Sequence, residues 1–204
     1  MSESSPRLIL ASASPRRREL LAGLGLEFEV QPAAIDEGRH DGESPGDLVR
    51  RLGLDKARTV AKTHPGAVVL GSDTAVILDG EPLGKPRDRD HGIAMLSALS
   101  GREHEVLSSV ALAGPEGETV RLNRSRVRFR SLAREEIAAY WDTGEPADKA
   151  GAYAIQGLGG IFVERLEGSF SGVMGLPVFE TARLLTDAGI PLLGRRRAGI
   201  GPVE

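Results

Sequence analysis

The fold of this chain is decided by the stretch Leu8-Ile9-Leu10-Ala11-Ser12-Ala13-Ser14-Pro15-Arg16-Arg17-Arg18. Its apolar start predicts a strand, and the residues after its small-residue turn predict a helix. Ser14 is the expected N-cap, and Pro15 suits the first helical position, where its missing N–H costs nothing. The free N–H groups of a helix start attract anions. Arg16 and Arg17 oppose the helix dipole there, so we expect a negatively charged ligand; solvated arginines on a capped surface helix are the alternative.

The composition limits the class of protein. With 204 residues, the chain is long enough for one sizeable core or for two lobes that share one sheet. The net charge of -3 gives no basic field of the kind that suggests nucleic acid as a partner. The absence of cysteine excludes disulfides, thiol nucleophiles and cysteine-ligated metals. Because the sequence also shows neither a signal-peptide pattern nor an apolar run of roughly 20 residues, we expect a cytoplasmic protein without a membrane span.

Strand and helix patterns alternate along the chain. The predicted strands are 8–10, 28–31, 67–78, 101–112, 119–129 and 160–163, and the predicted helices are 16–24, 44–62, 89–99, 135–141 and 178–188. This mixture predicts an α/β protein with a mixed sheet. We expect one domain over 1–204, with residues 195–204, which include Arg195-Arg196-Arg197, as a flexible tail.

Asp73 is the strongest single indication of chemistry. It lies inside the apolar run 67–78, where a carboxylate must be paired, hydrogen-bonded or bound to a cation. An aspartate that caps a local amide is the less favoured alternative. Glu37, in the loop 32–38, would by itself be a solvated surface group, but together with Asp73 it can bind Mg²⁺.

Basic and amide side chains complete the candidate site. Lys56 and Lys85 would be surface residues by default, although Lys85 lies between Gly84 and Pro86, where a rigid turn can direct its ammonium. Gln156 lies in a glycine-rich segment that lets the backbone approach a flat ligand, and its amide can read a base edge. A bulged strand packed on the core is the alternative. His104 is expected in a strand, as a core or supporting group.

These residue types suit a metal-dependent reaction on a phosphorylated ligand. The surroundings of Lys85 do not form a P-loop, and the segment 168–172 does not form a nucleophile elbow, since Phe170 stands at the nucleophile position. Without a serine or histidine nucleophile, attack by water is the simpler expectation.

Taken together, the motifs resemble the Maf family of nucleoside triphosphate pyrophosphatases, named for a link to inhibited septum formation in bacteria. The resemblance extends from about Leu8 to about Gly189, and its blocks come in the family's order. They are SASPRRRELL (12–21), IDE (35–37), DKA (55–57), GSDTAV (71–76), GKPRD (84–88), LSGREHEV (99–106), DKAGAYAIQGLGG (148–160) and GLP (175–177).

The resemblance implies an elongated, twisted mixed β-sheet of the Maf and inosine-triphosphatase type, flanked by helices, with two lobes around a deep cleft, and commonly a homodimer. It also implies hydrolysis between the α- and β-phosphates, which yields a nucleoside monophosphate and pyrophosphate. By analogy Asp73 would be the general base, and Glu37 would help it to hold Mg²⁺ or Mn²⁺. The residues that would bind phosphates or stabilise the leaving pyrophosphate are Ser12, Arg16, Arg17, Lys56 and Lys85.

Three positions distinguish the branches of the family: Arg16, Thr74 and Gln156. The branch that resembles 7-methyl-GTP hydrolases carries Trp, Gln and Glu there, which suit a cationic methylated guanine. This chain has Arg, Thr and Gln at these positions, which matches the dTTP/UTP branch. A glutamine at 156 can accept from N3–H and donate to O4 of thymine or uracil. Two departures from the common pattern, Gly53-Leu54 and the segment 171–174, are expected only to reshape the pocket rim.

We therefore expect an enzyme that hydrolyses dTTP and UTP and removes unwanted or modified pyrimidine nucleotides. A 7-methyl-GTP-type pyrophosphatase is one alternative, and a nucleotide-sensing regulator of cell division with incidental catalysis is another. A nucleic-acid-binding module is disfavoured, because no platform of aromatic and basic residues is present.

Overall fold

A mixed sheet of 7 strands organises the chain, of which the computed structural model describes residues 6–193. The strands are β1 (Leu8–Leu10), β2 (Glu29–Val30), β3 (Val68–Leu78), β4 (Glu81–Leu83), β5 (Glu103–Gly114), β6 (Gly117–Phe129) and β7 (Val163–Glu167). The helices are α1 (Pro15–Ala22), α2 (Pro45–Ala61), α3 (Arg89–Leu99), α4 (Arg134–Asp142), α5 (Phe170–Met174) and α6 (Val178–Asp187). The predicted tail, 195–204, lies outside the described residues.

The sheet runs in the order β2-β1-β3-β5-β6-β7, with β4 paired to β3. β1 is parallel to both β2 and β3, whereas the other pairs are antiparallel. The α/β class and the mixed sheet predicted from the sequence are therefore confirmed. No helix in the part of the chain that the structure describes is long and apolar enough to cross a lipid bilayer.

Alternating burial along β3 explains why this strand is central. Val68 and Leu70 pack on one face of the sheet and Val69 packs on the other, because successive side chains of a strand point to opposite faces. Farther along, Val76 and Leu78 join a separate cluster formed with α3 and α4. The hydrophobic packing is thus divided between the two ends of β3.

Helix α1 forms where the sequence predicts it, with Ser14 as N-cap and Pro15 in the first turn. It ends at Ala22 rather than at residue 24, because the N–H groups of Leu24 and Gly25 donate to carbonyls three residues back, and not four residues back as an α-helix requires.

The strand predicted at 160–163 is wrong. Leu158–Phe162 forms a 3-10 turn, and the strand begins only at Val163. The N–H groups of Leu158 and Gly159 donate to the carboxylate of Glu145, so they are not available to a neighbouring strand. Two short elements, β4 and α5, were also not predicted.

Candidate active site

A group of polar residues interrupts the apolar packing of the sheet in the middle of β3. Asp73 pairs in register with Ser109 of β5, and Thr74 pairs with Ser108. The Asp73 N–H donates to Ser109 Oγ at 3.3 Å, and the hydroxyls of Thr74 and Ser108 share a hydrogen bond of 2.8 Å. The serine hydroxyls also donate to backbone carbonyls outside this group, so that a carboxylate can be placed at the centre of the sheet without an unpaired neighbour.

Two glycines let α2 approach the sheet closely at this point. A Cβ on Gly71 would lie 2.2 Å from the carbonyl oxygen of Gly53, and a Cβ on Gly53 would lie 2.3 Å from Ser109 Oγ. The sequence had suggested that Gly53 reshapes the pocket rim. In the structure, Gly53 instead lies at the contact between α2 and the sheet. One turn farther along α2, the close approach brings Lys56 to the carboxylate of Asp73.

Lys56 lies between the two predicted acidic residues. Its Nζ is 2.8 Å from Asp73 Oδ1 and 2.8 Å from Glu37 Oε1. The side chains of Lys56 and Asp73 are only 10% and 14% exposed, whereas that of Glu37 is 61% exposed. The hydrogen bond from Lys56 lowers the pKa of the Glu37 carboxyl, against the opposing effect of partial burial.

Glu37 and Asp73 fit a divalent cation, because their oxygens already converge on one positive charge. Hard carboxylate oxygens are the ligands that Mg²⁺ and Mn²⁺ prefer. No group of three or more His, Cys, Asp or Glu side chains with metal-binding geometry occurs among residues 6–193. A cation held by these two carboxylates would need its other ligands from water and substrate phosphates, which is the usual arrangement for Mg²⁺.

Arg17 is held in place near Asp73 by three hydrogen bonds. Its Nε donates to the carbonyl of Gly175 at 2.8 Å, one terminal nitrogen donates to Ser12 Oγ at 3.3 Å, and the other donates to Thr74 Oγ1 at 3.2 Å. Burial lowers the pKa of the Arg17 guanidinium, but an arginine stays charged in a protein. The guanidinium is therefore a rigid cation, with two N–H groups not used by these contacts.

The carbonyl of Gly175 connects the C-terminal part of the chain to the site. Besides Arg17, it accepts from Ser72 Oγ at 2.8 Å and from Thr74 Oγ1 at 3.4 Å. Gly175 has a φ of 121°, a conformation that L side chains rarely adopt. The GLP block is thus a structural anchor for the arginine, a role that the sequence did not predict.

All the predicted site residues line one cavity of about 760 Å³. They are Ser12, Arg16, Arg17, Glu37, Lys56, Asp73, Thr74, Lys85 and Gln156. Val173 and Met174 also line it, as expected for the segment 171–174. The cavity combines a larger cluster of cations with three carboxylates, the third being that of Asp148, so it suits a polyanionic ligand.

Asp148 and Lys149 also line the cavity, although no role was predicted for either residue. The Asp148 carboxylate accepts a hydrogen bond from Lys149 and lies 3.8 Å from a terminal nitrogen of Arg16. The hydrogen bond from Lys149 lowers the pKa of Asp148. The repetition of Asp-Lys-Ala at 55–57 and 148–150 was the available signal, since both lysines reach the same cavity.

The glycines around Gln156 were predicted to let the backbone approach a flat ligand, but they have a different role in the structure. Gln156 is exposed and lines the cavity, but Gly157, Gly159 and Gly160 do not line it. A Cβ on Gly157 would lie 2.1 Å from Glu145 Oε2. The missing side chain thus makes room for a carboxylate of the protein and not for a flat ligand.

His104 is a core residue, one of the two roles expected for it. It is buried beside Phe129 and Tyr153, and its Nε2 shares a hydrogen bond of 2.8 Å with the Tyr153 hydroxyl. Burial lowers the pKa of His104 to about 4, so the ring is neutral near pH 7.

This chain was compared with known protein families, curated proteins and solved structures. Residues 7–188 match the family described as Maf-like protein. A curated relative from Hahella chejuensis, named dTTP/UTP pyrophosphatase, is 55% identical over 189 residues, which cover 91% of this chain and 94% of the relative. One from Methylococcus capsulatus with the same name is 55% identical over 197 residues, which cover 96% and 97%. Among solved structures, the Staphylococcus aureus Ham1 protein is similar with a TM-score of 0.45 and 15% identity, over 60% of this chain and 71% of that chain.

Proposed function

Because this chain belongs to the Maf-like protein family, we propose that it is a dTTP/UTP pyrophosphatase, the activity for which its relatives are named. The reaction is hydrolysis between the α- and β-phosphates, which releases a nucleoside monophosphate and pyrophosphate. The observation that carries the proposal is the convergence of Asp73, Glu37 and Lys56 inside a cavity that also contains Gln156 and a cluster of cations.

The cations bind the triphosphate and stabilise the charge that develops on the leaving pyrophosphate. Arg17 is held rigidly by Gly175 and Ser12, so it needs little reorganisation when the charge moves. Arg16 and Lys85 also line the cavity, and in this proposal they bind the outer phosphates. Ser12 adds a hydroxyl near the start of α1, where backbone N–H groups also favour an anion.

Asp73 is the general base in this proposal. Its Oδ1 accepts from Lys56, and within residues 6–193 the structure gives its Oδ2 no hydrogen-bond partner. Oδ2 can therefore take a proton from the attacking water. Lys56 keeps the carboxylate in place and adds positive charge close to the reacting phosphate.

Glu37 and Asp73 would hold the divalent cation, Mg²⁺ or Mn²⁺. When bound, the cation supplies charge neutralisation at the phosphate oxygens. Lys56 contacts the same two carboxylates, so it compensates their charge before the cation and the nucleotide enter.

Gln156 and Thr74 would select the base. Gln156 lines the same cavity, where its amide can accept from N3–H and donate to O4 of thymine or uracil. Thr74 Oγ1 already forms hydrogen bonds with Ser108 and Arg17, so Thr74 contributes by fixing the shape of the cavity.

The proposal is tested by measuring pyrophosphate release from dTTP, UTP, dCTP, GTP and 7-methyl-GTP with Mg²⁺ or Mn²⁺. We expect cleavage of dTTP and UTP by the wild type and a loss of about 10²- to 10⁴-fold in kcat for Asp73→Asn. Asp79→Asn, at an exposed turn paired with Arg102, is the matched control and should keep wild-type activity. Preference for 7-methyl-GTP would show that the base assignment is wrong, and no pyrophosphate from any nucleotide would favour a nucleotide-sensing protein.

We further propose that the chain acts as a single domain and as a homodimer in the cytoplasm, where its nucleotide substrates are found. The family resemblance supports the dimer, and sedimentation of the purified protein tests it.

A further inference from the structure

Gln156 lies on a tight turn that is closed by the protein itself. The N–H of Gly157 donates to the carbonyl of Ala154 at 3.1 Å, so Gln156 is the third of four turn residues. The preceding residue, Ile155, is buried, whereas Gln156 is exposed at the cavity. The position from which the Gln156 side chain enters the cavity is therefore set by the turn and not by burial of that side chain.

Two side chains from outside the turn bind its backbone on both sides. On the N-terminal side, the N–H of Ala154 donates to the Tyr140 hydroxyl oxygen at 3.1 Å. On the C-terminal side, the N–H groups of Leu158 and Gly159 donate to the Glu145 carboxylate at 3.1 and 3.0 Å. The Tyr140 hydroxyl donates to Glu145 at 2.7 Å, which joins both sides in one network.

The glycines of the segment make this network possible. A Cβ on Gly157 would lie 2.1 Å from Glu145 Oε2, and a Cβ on Gly159 would lie 2.6 Å from the Tyr140 hydroxyl oxygen. Distances below 3.0 Å require a shift of atoms, so larger residues would push the two side chains away. The glycine spacing is thus explained by the approach of Tyr140 and Glu145.

The charge states suit the hydrogen bonds. Burial and the hydrogen bond to Glu145 raise the pKa of the Tyr140 phenol, so its proton stays available for donation. Burial acts to raise the pKa of Glu145, but the hydrogen bonds from Tyr140, Gly159 and Leu158 lower it on balance. Neither Tyr140 nor Glu145 lines the cavity, so their hydrogen bonds act on the turn and not within the nucleotide site.

We propose that Glu145 and Tyr140 are positioning residues that hold the Gln156 turn in the geometry that binds the pyrimidine base. The inference rests on the proposed function of Gln156. A turn that is held before binding loses less freedom when the base arrives, so the network contributes to affinity and base selection and not to the chemical step.

Glu145→Gln is the sharpest perturbation, because it keeps the shape of the side chain. The carboxylate accepts from three donors over both oxygens, whereas in a glutamine one oxygen is replaced by a donor that faces an N–H or O–H. We expect the KM for dTTP to rise about tenfold with kcat unchanged within about twofold. Tyr140→Phe should have the same signature, and it carries the test if Glu145→Gln does not fold.

A double-mutant cycle with Gln156→Ala separates positioning from general support of the fold. If Glu145 acts through Gln156, Glu145→Gln changes KM in the wild-type background but has little further effect beside Gln156→Ala. Glu136→Gln is the matched control on α4, since Glu136 binds Arg130 and does not line the cavity. An equal rise of KM in both backgrounds would overturn the proposal.

Hydrogen exchange of the Leu158 and Gly159 amides gives a readout that needs no activity. We expect faster exchange in Glu145→Gln and in Tyr140→Phe than in the wild type and in Glu136→Gln. If the wild type cleaves no nucleotide, the proposed function fails, and accelerated exchange still identifies Glu145 as the residue that holds the turn. Unchanged exchange in both variants would refute the positioning role even in an active enzyme.

Discussion

Replacing Lys56 by methionine removes the cation that lies between the two acidic residues of the site. Because Lys56 Nζ is 2.8 Å from both Glu37 Oε1 and Asp73 Oδ1, these oxygens are no more than about 5.6 Å apart. Two unit charges at that distance repel by about 0.7 kcal/mol in water and by about 3 kcal/mol at an effective dielectric constant of 20. Since the Glu37 side chain is 61% exposed, the lower part of this range applies, and we expect a repulsion of about 1 kcal/mol.

This repulsion predicts opposite effects of Lys56→Met on metal binding and on catalysis. A divalent cation relieves the repulsion and no longer competes with an ammonium, so the affinity for Mn²⁺ without nucleotide should rise by about five- to tenfold. The value of kcat/KM for dTTP should fall by about 10²-fold, because a positive charge near the phosphates is lost.

Titration of Mn²⁺, followed by its electron paramagnetic resonance signal, measures the first effect directly. Lys62→Met is the matched control, because Lys62 is exposed at the end of α2 and does not line the cavity. An unchanged or weaker affinity for Mn²⁺ in Lys56→Met would refute the idea that Glu37 and Asp73 form the cation site.

Three further predictions follow from burial and close contacts. Gly71→Ala should lower the free energy of unfolding by about 1–3 kcal/mol in a urea titration, since the new Cβ would lie 2.2 Å from the Gly53 carbonyl oxygen. Gly84→Ala is the control, because a Cβ there would have no atom within 4 Å, and an equal loss in both variants would contradict the steric reason. Because burial lowers the pKa of His104 to about 4, the unfolded chain binds the proton first as the pH falls from about 6.5 to about 4. The free energy of unfolding should therefore decrease by about 3 kcal/mol over that window, and the same pH dependence in His104→Gln would contradict this assignment. Because Lys85 is exposed at the cavity, Lys85→Ala should raise the KM for dTTP about tenfold and keep the free energy of unfolding within about 0.5 kcal/mol of the wild-type value. A large loss of stability would show a structural role instead.

Local patterns predicted most elements because those elements depend on neighbouring residues. Ser14 and Pro15 define the start of α1 by capping and by a fixed φ, which need no distant contact. The apolar run around Asp73 predicts β3 through its β-branched residues. The segment 158–162 was predicted wrongly because its N–H groups bind Glu145, a side chain outside the local pattern.

The sequence also predicted that Asp73 has a partner, since a carboxylate inside an apolar strand requires one. The sequence did not show that the partner of Asp73 in the structure is Lys56. It placed Glu37 and Asp73 together at a metal and Lys56 among the phosphate-binding residues. How these roles overlap depends on the distance between α2 and β3, which Gly53 and Gly71 make small.

The sequence by itself thus determined the fold class, the order of most elements and the chemistry of the residues in the cavity. The tertiary structure decided which side chains meet: Lys56 with both carboxylates, Arg17 with the Gly175 carbonyl, and Glu145 with the turn of Gln156. The physical reason is that these contacts join separate elements, so each forms only where packing brings the elements together. Propensity and spacing act along the chain, whereas charge pairing and close backbone approach act through space.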